Sequence, residues 1–227
     1  AKDQMKLPAS VTASTPSSSS DGPPKKKAKK SGIMSFFSKA GGGTKLGEQF
    51  VDSRVNIHSD PMDPRILSTP FDGQGLANKP MTWVEDGKLQ NLNYSRYWAD
   101  RQGVEPTGFP SGWYMAGGNS SVDEMIRSTE RGLLLTRFWY IRGVDPRTIL
   151  YTGLTRDGTF LIENGEISHP VKNFRWNESP IFMLNNIEMM GEPVRISSGE
   201  SSGLTNSVVV PPLKVRDFTF TSLSDAI

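Results

Sequence analysis

The side chains that most often bind a metal or relay a proton are scarce in this chain. Its 227 residues include two histidines, His58 and His169, and no cysteine. The lack of cysteine excludes thiolate zinc ligands, iron–sulfur ligation, nucleophilic thiols and disulfides. His-Glu-x-x-His does not occur, and a lone histidine is more often structural than a ligand. The sequence therefore predicts no catalytic residue and no metal ligand.

Asp60, Asp63 and Asp72 lie in a turn-rich stretch and are the remaining candidates for a cation site. Carboxylates that turns bring together can bind a hard cation such as calcium. Each of these residues precedes Pro or Gly, however, and aspartate in such a position also stabilises turns by accepting hydrogen bonds from nearby backbone amides. We favour the role in turns.

Arginines alternate with aromatic residues in one part of the chain, as they do on some nucleic-acid-binding surfaces. The arginines are Arg131, Arg137, Arg142, Arg147 and Arg156, and the aromatic residues are Phe138, Trp139 and Tyr140. Residues 50–227 contain 17 basic and 21 acidic side chains, a net charge of −4. An acidic domain is a poor binder of phosphate backbones, so nucleic acid is not an expected partner of this part. Structural pairs between arginine and carboxylate are the favoured interpretation.

The charge is divided unevenly along the chain. Residues 1–49 hold nine Lys and three acidic residues, a net charge of +6, and residues 1–32 are rich in Ser, Thr, Pro and Lys. Such a segment buries too little apolar area to offset the entropy of ordering it. The composition predicts a disordered basic tail over 1–44 and a folded domain over 45–227. No apolar run approaches the roughly 20 residues of a membrane helix, and the chain opens with no signal-peptide pattern, so no membrane association is expected.

The tail contains a compact basic run. Its lysines are Lys25, Lys26, Lys27, Lys29 and Lys30. The run resembles a nuclear localisation signal, which a receptor reads through its charge density, and this would imply a nuclear location if the chain is made in a eukaryotic cell. A solvated linker is an equally good interpretation.

Ile33, Phe36 and Phe37 follow the basic run and would share one face of a short helical turn. This spacing resembles the PCNA-interacting peptide, a short motif that binds a sliding clamp, although Lys30 stands where that motif usually has glutamine. The resemblance implies a sliding clamp as a partner of the tail. The alternative is that these side chains anchor the tail on the folded domain. Gly41, Gly42 and Gly43 then form a flexible joint.

The rest of the chain shows many strand signals. Asp86-Gly87, Asp157-Gly158 and Asn164-Gly165 follow or separate apolar runs and predict hairpin turns, because these residues tolerate positive φ. Further strands are predicted at 54–58, 133–141, 148–152, 152–167, 207–210 and 213–221.

Helix signals are fewer. Residues 93–102 favour a helix, and Ser121 with Glu124 forms a capping-box pattern for a helix that would end by Gly132. Ser179 or Pro180 favours the start of a third helix, which would run through Met190 and end at Gly191. The fold class is therefore α+β: a β-rich domain of antiparallel sheets with a few helices.

Several segments of this domain resemble the C-terminal domain of the TldD/PmbA family, whose members were once called modulators of DNA gyrase. They stand in family order from about residue 45 to the end of the chain: Gly47-Glu48-Gln49-Phe50-Val51-Asp52, Ser59-Asp60-Pro61, Pro70-Phe71-Asp72-Gly73-Gln74-Gly75, Trp83-Val84-Glu85-Asp86-Gly87-Lys88-Leu89, residues 161–171, Met183-Leu184-Asn185-Asn186-Ile187, and residues 211–217.

The resemblance implies a cytoplasmic, two-subunit, peptide-processing metalloprotease assembly. In this family one subunit type carries a zinc-binding His-Glu-x-x-x-His helix and a zinc-binding cysteine, and unfolded peptide binds by adding a strand to a sheet edge. This chain has neither zinc element. The resemblance therefore implies that this chain binds no cofactor itself. Zinc would be supplied only by a partner subunit or by a missing segment.

The resulting prediction is a non-catalytic component or fragment of such an assembly. Its partners would be a TldD/PmbA-type subunit and an unfolded peptide, with strands near 133–141 or 152–162 lining the peptide chamber. The alternatives are a clamp-binding nuclear tail that carries a passenger domain, and an inactive truncated or fused product.

Overall fold

Strands dominate the part of the chain that the computed structural model describes, which is residues 36–39, 42–197 and 207–224. The strands within these residues are β1 (Ile57–Ser59), β2 (Met81–Glu85), β3 (Lys88–Leu89), β4 (Trp113–Met115), β5 (Arg131–Asp145), β6 (Leu150–Glu163), β7 (Glu166–Pro170), β8 (Phe174–Glu178), β9 (Ile187–Met190), β10 (Val194–Ser197), β11 (Ser207–Val210), β12 (Leu213–Val215) and β13 (Phe220–Leu223). The helices are α1 (Arg96–Gln102), α2 (Val122–Arg127) and α3 (Pro180–Asn185). The predicted β-rich composition with a few helices is confirmed.

The described strands form three sheets. A six-stranded sheet has the order β10-β11-β4-β1-β2-β3, and β9 pairs with β12 in a two-stranded sheet. The third sheet has the order β13-β8-β6-β5, and β7 also pairs with β6. Neighbours are antiparallel except β11 and β4, which run parallel. None of the described helices is long and apolar enough to cross a membrane.

A hydrophobic core lies against the six-stranded and two-stranded sheets. Its buried members are Val51, Val55, Trp83, Val84, Met115, Ile187 and Met190. The indole Nε1 of Trp83 donates to Ser59 Oγ at 2.8 Å, so the polar atom of this buried ring is satisfied. Since core members come from widely separated segments, this core joins β2, β4 and β9 into one unit.

Two of the three predicted hairpin turns are confirmed. Asp86 and Gly87 join β2 to β3 with φ of 48° and 73°, and Asn164 and Gly165 join β6 to β7 with φ of 53° and 82°. Positive φ at both central residues is the requirement of a type I′ turn.

The third predicted turn is wrong, because Asp157 and Gly158 lie inside β6. Opposite them the pairing shifts between Leu135 and Arg137 on β5, which is the signature of a β-bulge. Asp157 has φ of 62° and Gly158 has φ of 152°. Asp and Gly tolerate positive φ both in a turn and in a bulge. Here the pairing with the long strand β5 favours the bulge.

Three element boundaries differ from prediction. The capping box of Ser121 and Glu124 is present, yet α2 ends at Arg127. The helix that starts at Pro180 stops at Asn185, since Ile187 and Met190 are buried and pair with β12. The predicted strand 213–221 is two strands in different sheets, and Asp217 lies between them with φ of 58°. In the last two cases tertiary pairing overrides the local pattern.

A second, aromatic core lies behind the sheet that contains β5. Phe138 of β5 contacts Trp176 of β8 and stacks on Phe218, with centroid distances of 5.1 and 5.4 Å. Phe218 also contacts Phe220 of β13 at 5.1 Å. Gly153 of β6 lies under Trp176, and a Cβ built there would be 2.5 Å from the indole ring. The sheet therefore packs against this core at a position that only glycine fills without a clash.

We expect the substitution Gly153→Ala to destabilise the domain by about 1–3 kcal/mol, because the new methyl group must displace Trp176. Gly143→Ala is the matched control, because the nearest atom to its Cβ is 3.9 Å away, on Tyr151. Urea unfolding followed by tryptophan fluorescence measures both. Equal free energies of unfolding for the two variants would contradict the packing described.

Candidate functional site

The candidate site is the outer edge of β5. This strand, Arg131–Asp145, pairs with β6 along one side and stands last in the order β13-β8-β6-β5. Within the described residues no strand pairs with its other side. A strand in this position presents a row of backbone N–H and C=O groups that another chain can pair with.

The bulge at Asp157 and Gly158 determines which side chains of β6 share a face with those of β5. Beyond the bulge, Phe138 lies opposite Thr155, and Trp139 lies opposite Leu154. Cross-strand partners share a face and successive residues alternate between faces. Phe138 therefore lies on the face that contains the aromatic core, and Trp139 lies on the opposite face.

That opposite face carries arginines, and we name it the arginine face. Arg137 lies opposite Arg156 across β5 and β6, and Leu154 lies opposite Arg175 across β6 and β8. The arginine face is thus defined by Arg137, Trp139, Leu154, Arg156 and Arg175.

Two guanidinium groups contact one indole on the arginine face. The guanidinium carbons of Arg137 and Arg156 lie 4.5 and 5.3 Å from the ring centroid of Trp139. Asp157 forms ion pairs with both arginines, at 2.8 Å to Arg137 and 3.7 Å to Arg156. The carboxylate reduces the repulsion between two like charges that lie directly across the strands.

The far end of the hairpin combines exposed apolar side chains with unusual backbone. Tyr140, Ile141 and Val144 are exposed. Tyr140 and Ile149 have φ of 52° and 51°, which is rare for bulky and β-branched residues. Such outliers persist only where the surrounding structure holds them, and they cluster at functional sites.

The two histidines lie in different sheets. His58, on β1, packs against the ring of Tyr114 in a tilted arrangement, with centroids 4.9 Å apart, and its Nε2 lies 3.8 Å from the carboxylate of Asp63. His169 is on β7, where its Nδ1 is 3.0 Å from the hydroxyl of Ser168. Among the described residues no three His, Cys, Asp or Glu side chains are grouped to hold a metal ion. The donor groups of the part of the chain that the structure describes therefore do not fit a zinc site.

The aspartates of the turn-rich stretch contact their own loops. Asp60 Oδ1 accepts from the Met62 amide at 2.8 Å. Asp63 accepts from the Arg65 guanidinium and amide, and these contacts lower the pKa of Asp63 to about 2. The backbone amides of Leu76, Gln74 and Phe109 lower the pKa of Asp72. These contacts are the turn role that the sequence analysis favours.

The aromatic residues of the predicted clamp motif pack on the folded domain. Phe37 contacts Phe50 at 5.6 Å, and Phe36 contacts Phe50 at 6.3 Å with the Lys45 amine over its ring at 3.8 Å. The amide of Phe36 also donates to Pro146 O at 2.9 Å. Domain contacts thus extend to residues before the predicted boundary at 45. Ile33 and the lysines of the basic run lie outside the described residues.

The sequence analysis did not identify Arg175, and it did not predict that Arg137, Arg156 and Arg175 lie on one face of the sheet. Arg137, Trp139 and Arg156 were noted as an alternation, but their common face depends on a bulge that was predicted as a turn. The signal for Arg175 was present, because in β8 it stands as an exposed residue between Phe174 and the buried Trp176.

The comparison with protein families gives the class of the chain. A family model described as the PmbA/TldA metallopeptidase C-terminal domain matches residues 31–222. The chain belongs to this family, and the resemblance found in its sequence is confirmed.

Particular relatives and structures agree with this assignment. The chain is 29% identical to metalloprotease PmbA of Escherichia coli over 75% of its own length and 37% of that protein, and 28% identical to a metalloprotease of Methanothermobacter thermautotrophicus over 76% and 41%. It superposes on a candidate modulator of a DNA gyrase from Thermotoga maritima with a TM-score of 0.63 and 25% identity, over 78% of the chain and 41% of that structure. TldE from Thermococcus kodakarensis shares the fold with a TM-score of 0.61. The two are 20% identical, and the match covers 79% of this chain and 42% of that structure. The chain spans about two fifths of the length of these proteins.

The double substitution Phe36→Ala and Phe37→Ala should lower the free energy of unfolding by about 1–3 kcal/mol, because both rings lose their contacts with Phe50. Phe71→Ala is the control, since Phe71 is 60% exposed, and we expect a change within about 0.5 kcal/mol. Urea unfolding of the full chain measures both. A double variant as stable as the parent would mean that the rings do not pack in solution and are available to a sliding clamp.

Proposed function

We propose that this domain binds unfolded peptide along the outer edge of β5 and so forms the non-catalytic wall of a peptide-processing chamber. Its partner in this role would be a second subunit of the TldD/PmbA type. The observation that carries the proposal is the 15-residue strand β5 with one side unpaired among the described residues.

The edge is suited to this role because it is already in place before a peptide arrives. Phe138 anchors β5 through Trp176 and Phe218, and β6 pairs with it through most of its length. A peptide that pairs with a rigid strand loses its own freedom but does not have to order the strand. Main-chain hydrogen bonds of this kind depend little on the peptide sequence, which suits a protein that acts on unfolded chains.

Peptide cleavage by a metalloprotease needs ligands that hold the metal and a site for an activated water. The described residues do not supply such a set. We therefore assign the domain the task of holding and aligning peptide, and assign cleavage to metal ligands outside it. The metalloprotease names of the relatives support a role in proteolysis for the whole assembly.

Backbone methylation of a bound peptide tests the proposal. In a strand, successive N–H groups point to opposite sides. We expect N-methylation of every residue of a flexible ten-residue peptide to abolish binding, because no register then offers N–H groups to β5. Methylation of every second residue should leave the affinity within a few-fold, because the unmethylated N–H groups can still pair with β5. Fluorescence anisotropy of labelled peptides with the full chain measures both.

Two results would contradict the proposal. Equal affinity of the fully methylated peptide and the parent peptide would show that binding does not use the peptide backbone. Cleavage of the peptides by this chain alone, present with added zinc and absent after chelation, would overturn the non-catalytic assignment.

A further inference from the structure

We propose that the arginine face selects peptides whose acidic side chains alternate with other residues along the strand. This inference rests on the proposed function and specifies which peptides the edge of β5 prefers.

The alternation follows from the geometry of a sheet. A peptide that pairs with β5 continues the sheet, and every second side chain then points to the same face as Arg137 and Trp139. Neighbouring strands are about 4.8 Å apart, so these side chains would lie within reach of the arginine face. The intervening side chains would point to the face of Phe138, which carries the aromatic core. The two faces therefore favour different residues at odd and even positions of the peptide.

The preference for acidic residues follows from the charges. The positions that define the arginine face include three guanidinium groups, and Asp157 is the carboxylate that pairs with two of them. Arg175 is an exposed side chain of β8 on the same face. This positive region stands out because residues 50–227 as a whole carry a net charge of −4. Guanidinium groups bind carboxylates through charge-assisted hydrogen bonds.

A single-stranded nucleic acid fits this face less well than an acidic peptide. Proteins that bind such strands offer open aromatic rings on which bases stack. The ring of Trp139 is instead contacted by the guanidinium groups of both Arg137 and Arg156.

Three labelled ten-residue peptides and the full chain test the inference. The first alternates Glu and Thr, the second alternates Gln and Thr, and the third has the composition of the first with its Glu residues grouped together. At low salt we expect the alternating Glu peptide to bind about 5- to 10-fold tighter than the Gln peptide, the sum of two or three partly exposed ion pairs. Physiological salt should reduce this ratio. The grouped peptide should bind more weakly than the alternating one.

Arginine variants identify the surface that discriminates. The double substitution Arg137→Gln and Arg156→Gln should bring the affinity for the alternating Glu peptide close to that for the Gln peptide, while leaving the affinity for the Gln peptide unchanged. The single substitution Arg175→Gln should give a smaller loss. Arg101→Gln, which removes one positive charge from the exposed last turn of α1, should change nothing.

Each other outcome has a definite meaning. Equal binding of the Glu and Gln peptides overturns this inference and leaves the proposed function standing, whereas failure of all three to bind overturns the proposed function as well. Equal binding of the alternating and grouped Glu peptides would show that the peptide does not bind as a strand with every second side chain on the arginine face. An oligothymidylate that binds tighter than the Glu peptide, with the same dependence on Arg137 and Arg156, would assign the face to nucleic acid.

Discussion

The pairing of β5 with β6 is the constraint on which the candidate site depends. These are the two longest strands described, and they remain paired from Arg131–Glu163 at one end to Asp145–Leu150 at the other despite three shifts of register. Each shift accommodates a local mismatch in the number of residues and changes which side chains share a face. Without the bulge at Asp157, Phe138 would lie opposite Arg156 and Trp139 opposite Thr155, and neither the aromatic core nor the arginine face would form.

Contacts that hold β6 and β8 rigid also keep β5 in place, so that its outer edge can bind a peptide. Thr155, fully buried on β6, shares hydrogen bonds with Thr159 and with the Asn173 side chain, and accepts from the Phe174 amide. This network and the aromatic core fix β6 and β8, so β5 is held by a sheet that is already ordered. The loops around Asp63 and Asp72 are stabilised in a similar way by carboxylates, because each of them accepts hydrogen bonds from nearby backbone amides.

The sequence was informative where a local pattern has one structural meaning. The turns at Asp86-Gly87 and Asn164-Gly165, the capping box of Ser121 and Glu124 and the family resemblance are of this kind. It was misleading where one local pattern is compatible with two structures, because contacts with distant residues then determine which of the two forms. Asp157-Gly158 is compatible with a turn or with a bulge. Residues 186–190 are compatible with the continuation of a helix or with a strand that pairs with β12. The arginine face depends on the first of these choices, so its side chains could be noticed in the sequence but not assembled.

Amide hydrogen exchange along β5, resolved by NMR, tests the central claim most directly. In the free chain, the account predicts that the amides paired with β6 exchange slowly and that the alternating amides on the outer edge exchange fast. Saturating peptide should then slow the outer set and leave the inner set unchanged. Slow exchange of every β5 amide in the free chain, or fast exchange of the outer set with peptide bound, would contradict it.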